Sequence, residues 1–343
     1  MKLKNLLASR ITSGEFKFGE RFPGLHQLCE EYGISYVTVN KTMKMLVKEG
    51  YLQARNGVGY FVCYVPSNTV ATRKVVNFIT GIEASHPTWP FIHKGKELFV
   101  RAGWEVNIHG FSNNDFSNCV HLLNSPDAYN ILFFSILQWE NFIATFDHIV
   151  QRTVVLGVLA DNEEISCIIS DEYATIRKCL DYFKAKGRKR TGLICSSLTH
   201  RSEKLRIAAW RMMMEAEGCS HDELDDLYAL LGNIDVSQKE EAKRLCINWL
   251  QENKGKIDSL IIPYLHTDII DACLEVGLRI PEDIDILGIA WPTRIENKVH
   301  IPLIENNLIE HFNIALSIIE KRFKTGKKDT CTWYFCPPGK YIE

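Results

Sequence analysis

The sequence predicts an α/β protein in two parts: a small helical head closed by a β-hairpin, then a larger body of two doubly wound parallel sheets. From residue 75 onward, short and nearly continuous apolar runs alternate with helical patterns, as in parallel strands covered on both faces. Residues 22–62 instead hold two short helical patterns followed by Asn56-Gly57 between two apolar stretches. Eight or more strands over about 270 residues are more than one small sheet accommodates, so two sheets are expected.

The head begins with an amphipathic helix over residues 2–12, with Leu3, Leu6, Leu7 and Ile11 on one face and Ser13-Gly14 ending it. In the next helix Leu25, Leu28, Cys29 and Tyr32 fall at i, i+3, i+4 and i+7, a single apolar stripe. Gly33 can take the left-handed conformation that ends a helix, and Ser35 can cap the one that follows. That third helix turns Val39, Met43 and Leu46 inward and shows Tyr36, Val37, Asn40, Lys41, Lys44 and Lys48 on the other side, until Gly50 stops it. Tyr51–Arg55 and Val58–Cys63 then flank Asn56-Gly57, whose two residues both tolerate positive φ, the strongest short-range hairpin signal. Helix, tight turn, helix and hairpin make a winged helix-turn-helix. The second helix of such a unit can enter the major groove of DNA.

Charge agrees with that division. The chain carries a net charge of −2, but residues 1–65 hold nine Lys and Arg against five Glu, a balance of +4 that leaves −6 for the remainder. A basic head on an acidic body suits phosphate contact through one end. The 46% hydrophobic and 24% charged content is that of an ordinary globular protein. No run approaches the length of a membrane helix, and the start lacks the apolar core of a signal peptide. The eleven cysteines are scattered, odd in number and without a Cys-x-x-Cys pair, which fits reduced thiols in the cytoplasm better than a disulfide framework or a metal site.

Pro66–Thr72 has the composition of a junction, so a linker is placed at 66–74 between a head of residues 1–65 and a body of 75–343. Body strands are expected at 75–79, 104–109, 130–136, 154–159, 167–170, 191–196, 259–264 and 285–290. Helices are expected near 92–102, 140–150, 172–186, 203–217, 237–253 and 267–276. No catalytic constellation accompanies them. Gly14 and Gly19 have phosphate-loop spacing, but Glu20-Arg21 stand where Lys and Ser or Thr belong. No Gly-x-Gly-x-x-Gly follows the strand at 75–79, and neither a Gly-x-Ser-x-Gly elbow nor His-Glu-x-x-His occurs. A non-enzymatic protein without a cofactor is expected.

Two stretches resemble known families. The run ITSGEFKFGERFPGLHQLCEEYGISYVTVNKTMKMLVKEGYLQARNGVGYFV resembles the winged helix-turn-helix of the GntR family of bacterial transcription regulators, across nearly all of residues 1–63. The resemblance implies DNA contact by His26, Ser35, Tyr36, Val37, Thr38, Asn40, Lys41 and Lys44, with Asn56 and Gly57 at the wing tip. It also exposes a departure: the family usually has arginines at the positions of His26, Tyr36 and Asn40.

In the body, SDEYATIRKCLDYFKAKGRKRTGLIC, EKLRIAAWRMMMEAEG and CLEVGLRIPEDIDILGI resemble the LacI-type effector-binding domain, which is related to periplasmic sugar-binding proteins. The resemblance implies two lobes joined by three crossings near 160, 290 and 325. Lobe 1 then spans about 75–160 and 291–324, and lobe 2 about 161–290 and 325–343. A sugar or sugar-like effector is implied between them, with Trp89, Phe91, Trp139, His200, Arg206, Tyr264 and Trp291 as candidate contacts. Where the family often places Asn-Asp and Gly-Phe-Asp, this chain has Pro263-Tyr264 and Gly288-Ile289-Ala290. The effector is then not a typical sugar, or the acceptors come from elsewhere, or small-molecule binding has been lost.

A GntR head on a LacI-type body is similar to the arabinose-responsive repressors of Gram-positive bacteria. That arrangement implies a homodimeric repressor on a pseudo-palindromic double-stranded DNA operator. Two alternatives remain: a DNA-binding protein whose body only dimerises, and a ligand- or protein-binding module whose head has a weakened grip on DNA.

Overall fold

The structure, a computed structural model of the 343-residue chain, describes residues 2–55, 57–64, 73–81, 89–110, 119–123, 125, 127–133, 147–159, 164–195, 201–231, 239–263, 266–290, 299–327 and 332–342. Most of the proposed linker lies outside these residues.

In the head, helix Lys2–Thr12 buries Leu3, Leu7, Ala8 and Ile11. Leu6, expected on the same face, is instead 47% exposed, because the i, i+4, i+8 stripe through Leu3, Leu7 and Ile11 runs beside it. Helix Leu25–Tyr32 ends at Gly33, at φ 61° and ψ 33°, whose N–H donates to the Cys29 carbonyl. Of its apolar stripe Leu28 is fully buried, while Leu25, Cys29 and Tyr32 pack at the margin of the core. Helix Tyr36–Lys48 buries Val39, Met43 and Leu46 completely, along with most of Thr42.

The wing differs from the expected two-strand hairpin in two ways. A short strand β1 (Arg21–Phe22) pairs antiparallel with β3 (Gly59–Val62), which also pairs with β2 (Leu52–Arg55), so the sheet has three strands in the order β1-β3-β2. The register sets Arg55 opposite Gly59, so three residues rather than two connect the strands. Val58 N–H closes the turn on the Arg55 carbonyl at 3.0 Å, with Gly57 at φ 70°. Val58 is thus turn rather than strand.

The chain divides into two compact units, Met1–Ile168 with Phe312–Tyr334 and Ile169–His311 with Phe335–Glu343. In the first, β4 (Val75–Thr80), β5 (Glu105–Gly110), β6 (Ala128–Phe133), β7 (Thr153–Leu156) and β8 (Ser166–Ser170) run parallel in the order β8-β7-β6-β4-β5. In the second, β9 (Thr191–Cys195), β10 (Tyr228–Leu230), β11 (Ser259–Ile262), β12 (Asp285–Ala290) and β13 (Leu303–Glu305) run parallel in the order β10-β9-β11-β12-β13. Each sheet therefore starts at its second position, winds one way, reverses and winds the other, the doubly wound order 2-1-3-4-5. Late segments close the two edges: β14 (Trp333–Cys336) beside β8, and β15 (Tyr341–Ile342) antiparallel to β13.

The chain passes between units after Ile168, His311 and Tyr334, where the sequence reading placed the passages near 160, 290 and 325. The middle one comes later because β13 joins the sheet of β12 before the chain leaves. Helix Leu308–Thr325 did not figure among the expected elements. Its Arg322, 1% exposed, donates to the carbonyls of Gln151 and Thr153 and to Ser166 Oγ, so the buried cation finds acceptors on the strands it crosses.

Two side-chain placements generate tests. A Cβ at Gly95, in helix Trp89–Arg101, would lie 2.2 Å from the Phe312 ring. Gly95→Ala should lower unfolding stability in urea by about 1–3 kcal/mol through overpacking, reversing the roughly 1 kcal/mol gain that Ala brings to an open helical site. His311 is buried with Nδ1 3.0 Å from the Asn307 carbonyl, and burial holds its pKa below the ordinary 6.5. Its neutral form is the one the fold accepts, so its contribution is present above pH 6.5 and is lost as pH falls through the lowered value. Urea titrations at pH 7 and pH 5 should show a smaller acid loss for His311→Gln than for the native chain.

Candidate functional site

The outward face of helix Tyr36–Lys48 is the best-built polar surface of the head. Ser35 caps the helix, its Oγ accepting from the Thr38 N–H at 3.4 Å and lying 3.0 Å from the Thr38 hydroxyl. Thr42 Oγ1 donates to the Thr38 carbonyl at 2.9 Å. With Val39, Met43 and Leu46 packed into the core that includes Leu7, Ile11, Leu28, Leu52 and Val62, rotation of the helix about its axis is fixed. Tyr36, Val37, Thr38, Lys41 and Lys44 are exposed and Asn40 is half-buried. The rings of His26 and Tyr36 pack with centroids 5.2 Å apart, bringing together two positions that are ten residues apart in sequence. Gly57 is exposed at the wing tip, and Asn56 lies outside the described residues.

The +4 of the head is unevenly available. Lys4 is held by Glu49 at 2.9 Å. Arg10 is clamped by Glu15 and also reaches Glu31 at 2.7 Å and the Tyr32 hydroxyl at 2.5 Å. The Glu15 carboxylate holds the Arg10 guanidinium above its ordinary pKa, and Glu15 is in turn lowered by Arg10. Among the described residues, Lys41, Lys44 and Lys48 make no ion pair, so the helix face keeps its three charges for an outside partner. Arg55 lies over the Phe61 ring at 4.3 Å, and Arg21 reaches the same wing through β1. These two wing cations were not among the sequence candidates. Arg55 was legible as a cation at the end of a hairpin strand, whereas a two-residue strand leaves no periodic signal for Arg21.

Doubly wound sheets bind ligands at the carboxyl ends of their strands, and three of the effector candidates, Trp89, Phe91 and Arg206, lie in helices that follow such strands. Trp139, His200, Tyr264 and Trp291 lie outside the described residues. Trp89 opens the helix that follows β4 and meets His93 edge to face at 5.5 Å. Phe91, two residues on, is buried at 5% exposure under Lys94, whose Nζ stands 5.1 Å over its ring. Arg206, in the helix Arg201–Ala216 that follows β9, donates from Nε and Nη2 to the two oxygens of Glu172, both at 2.8 Å. The pair is largely buried, with Arg206 11% and Glu172 5% exposed. Glu172 was not singled out from the sequence. It opens helix Glu172–Ala185 directly after the N-cap Asp171, which accepts from the Ala174 N–H at 2.9 Å.

A winged helix-turn-helix head stands ahead of two doubly wound units in one chain. Residues 2–62 match the profile of bacterial regulatory proteins of the gntR family, so the head is a GntR-type domain. The arabinose metabolism transcriptional repressor of Geobacillus stearothermophilus is 28% identical over 115 residues, 34% of this chain and 31% of that protein. The chain thus aligns with under a third of that relative's length. Over the whole fold it is similar to a transcriptional regulator CelR–cellobiose complex, with a TM-score of 0.63 at 12% identity, covering 94% of this chain and 99% of that one. A LacI family transcriptional regulator from Arthrobacter sp. FB24, in complex with lactose, superposes with a TM-score of 0.59 at 15% identity over 79% of this chain and 98% of its own. At these identities the likeness establishes the fold. No helix among the described residues is long and apolar enough to cross a membrane, and these residues contain no group of three or more His, Cys, Asp or Glu side chains placed to hold a metal.

The Glu172–Arg206 pair makes a specific demand. Removing one member leaves the other charged and buried, so Glu172→Ala should lower unfolding stability by about 3–5 kcal/mol. The double variant Glu172→Leu/Arg206→Met, which removes both charges, should recover most of that loss in the same denaturant titration.

Proposed function

We propose that this protein is a cytoplasmic bacterial transcription regulator, a repressor in sense, that binds a pseudo-palindromic double-stranded operator as a homodimer. Its affinity for DNA is set by a sugar or sugar-like small molecule held by the body. The observation that carries this reading is the helix Tyr36–Lys48, held by its apolar face with Lys41, Lys44 and Lys48 turned outward and, among the described residues, in no ion pair. In the major groove, Ser35, Tyr36, Val37, Thr38 and Asn40 would meet base edges, and the lysines would meet phosphates. His26, packed on Tyr36, would touch the backbone at the entry to the groove, and the wing tip at Asn56 and Gly57 would lie along the neighbouring strand.

For the body, the support is the doubly wound order of both sheets and the position of the candidates after strand ends. The solved relatives bound to cellobiose and lactose have the same fold. Trp89, Trp139 and Trp291 would offer flat faces to a sugar ring, with His200 and Tyr264 as polar contacts. The Arg206 fork, engaged by Glu172, would present a pre-set pair of charges instead of a lone donor. Phe91, packed inside its own lobe, would support Trp89 from behind. A ligand that prefers one arrangement of the lobes by a few kcal/mol is enough to switch a dimer between DNA-binding states.

The test is selection of binding sites from a random duplex library by the full-length chain, followed by fluorescence anisotropy on the selected duplex over a range of salt. Binding that weakens with added salt, with the modest slope of a few phosphate contacts, is expected. Lys41→Ala/Lys44→Ala should reduce the slope of log K against log salt by about 1.8, the value of two phosphate contacts. A thermal-shift screen of sugars, sugar acids and nucleosides should yield a compound that raises the melting temperature and weakens the selected duplex. Failure to attract any duplex even in dilute buffer overturns the reading.

A further inference from the structure

We infer that the first turn of the recognition helix reads a thymine, with Val37 seated on the C5-methyl group, so that each operator half-site is selected by A·T pairs at the positions this turn faces. The inference rests on the DNA-binding reading above and goes beyond it to the base that is read.

The starting point is the exposure of Val37. At 76% it is the most exposed of the large hydrophobic side chains described. It gains nothing for the fold: no buried cluster of the head includes it, and a β-branched residue in an exposed helical turn is less favourable than alanine. Its neighbours are accounted for differently. Ser35 and Thr38 are tied to each other and to the helix start. Tyr36 is packed on His26 at 5.2 Å, which leaves Val37 as the one side chain of this turn without a partner among the described residues. Helices of this kind present their N-terminal residues to base edges, and Val37 is the second residue of the helix.

The chemistry of the surrounding face selects the base. Guanine is read most often by an arginine or lysine fork on O6 and N7, but Ser35 to Asn40 contains no cation. Of the three lysines, Lys41 stands beside Val37 at i+4 and Lys44 and Lys48 lie further along, and the DNA-binding reading above gives all three to phosphates. A G·C pair opposite Val37 would leave the guanine acceptors facing an apolar group. Thymine instead offers a methyl group in the major groove, which an aliphatic side chain covers with gain. Asn40, one turn on and on the same side as Val37, has the amide fork that matches adenine N6 and N7. Val37 and Asn40 therefore both favour A·T.

The experiment replaces single thymines by deoxyuridine, which removes only the C5-methyl group, in one half-site of the duplex selected by the full chain. One position is expected to weaken native binding about fourfold, the worth of one buried methyl group. Val37→Ala should bind the thymine duplex more weakly than the native chain and lose the discrimination at that position alone. Val37→Thr, which keeps one methyl, should fall between. The side chain is exposed, so unchanged melting temperatures will show that these variants are folded. If no thymine in the half-site is sensitive to the replacement, or if Val37→Ala keeps the full penalty at the sensitive position, the inference is overturned while the DNA-binding reading stands. If no duplex is selected at all, both fall.

Discussion

Val39, Met43 and Leu46 have no exposed surface, and their packing against Leu7, Ile11 and Leu28 decides what the head can do. Because they recur at three- and four-residue intervals, burying them sets the helix rotation, and the opposite face is then dictated rather than chosen. The Ser35 cap fixes where that face begins. A polar residue in place of Met43 would do more than loosen a small domain, since it would turn the reading surface out of register with the wing. The three-stranded wing sheet, through β1, ties the strand entering the helix pair to the hairpin leaving it, so both DNA-facing parts hang from one core.

The same logic of covered and uncovered faces organises the body. Strands such as β6 and β9, buried along their whole length, must have helices on both sides, and right-handed crossovers then send each connection out at the carboxyl end. A ligand site follows from that geometry without any particular side chain, which is why such bodies accept substitutions in the connections while keeping the sheets. Gly95 shows the opposite regime. There the helix after β4 comes so close to Phe312 that no Cβ fits, and the helix that follows the middle passage between units is locked to the first sheet by packing and by Arg322.

Much of this architecture was legible in the sequence, and what was not has identifiable causes. Each of the eight apolar runs overlaps a strand, because parallel strands covered on both faces have no polar alternation to obscure them, although the run at 154–159 outlasts β7, which ends at Leu156. The strands that escaped, β1, β10, β13, β14 and β15, are two to four residues long, too short to show a period, and they owe their extension to neighbours distant in the chain. Helix Leu308–Thr325 is different: Leu308, Phe312, Ala315 and Ile319 form a plain helical stripe, a signal that is readable in the sequence. Phe91 and Arg206 mark the limit of what the resemblance carries. It implied ligand contact for both, but reveals neither that Phe91 is packed inward nor that Glu172, 34 residues earlier, takes up the Arg206 fork.

The replaced arginines and the internal use of Lys4 and Arg10 bear on one another. With the guanidinium of Arg10 tied to Glu15 and Glu31 and three family arginines absent, the head has little charge to waste on nonspecific phosphate attraction. Its remaining cations stand along one helix and the wing strands. Nonspecific affinity grows with the number of neutralised phosphates, whereas discrimination grows with contacts that only one base satisfies. A head that gives up guanidinium groups and keeps an exposed valine, an amide and a packed His–Tyr pair has moved weight from the first term to the second. Such a protein would hold random DNA loosely and depend on a few apolar and amide contacts to find its site. On the proposed reading, two such lightly charged heads would gain from reading two half-sites together, because each supplies few phosphate contacts of its own.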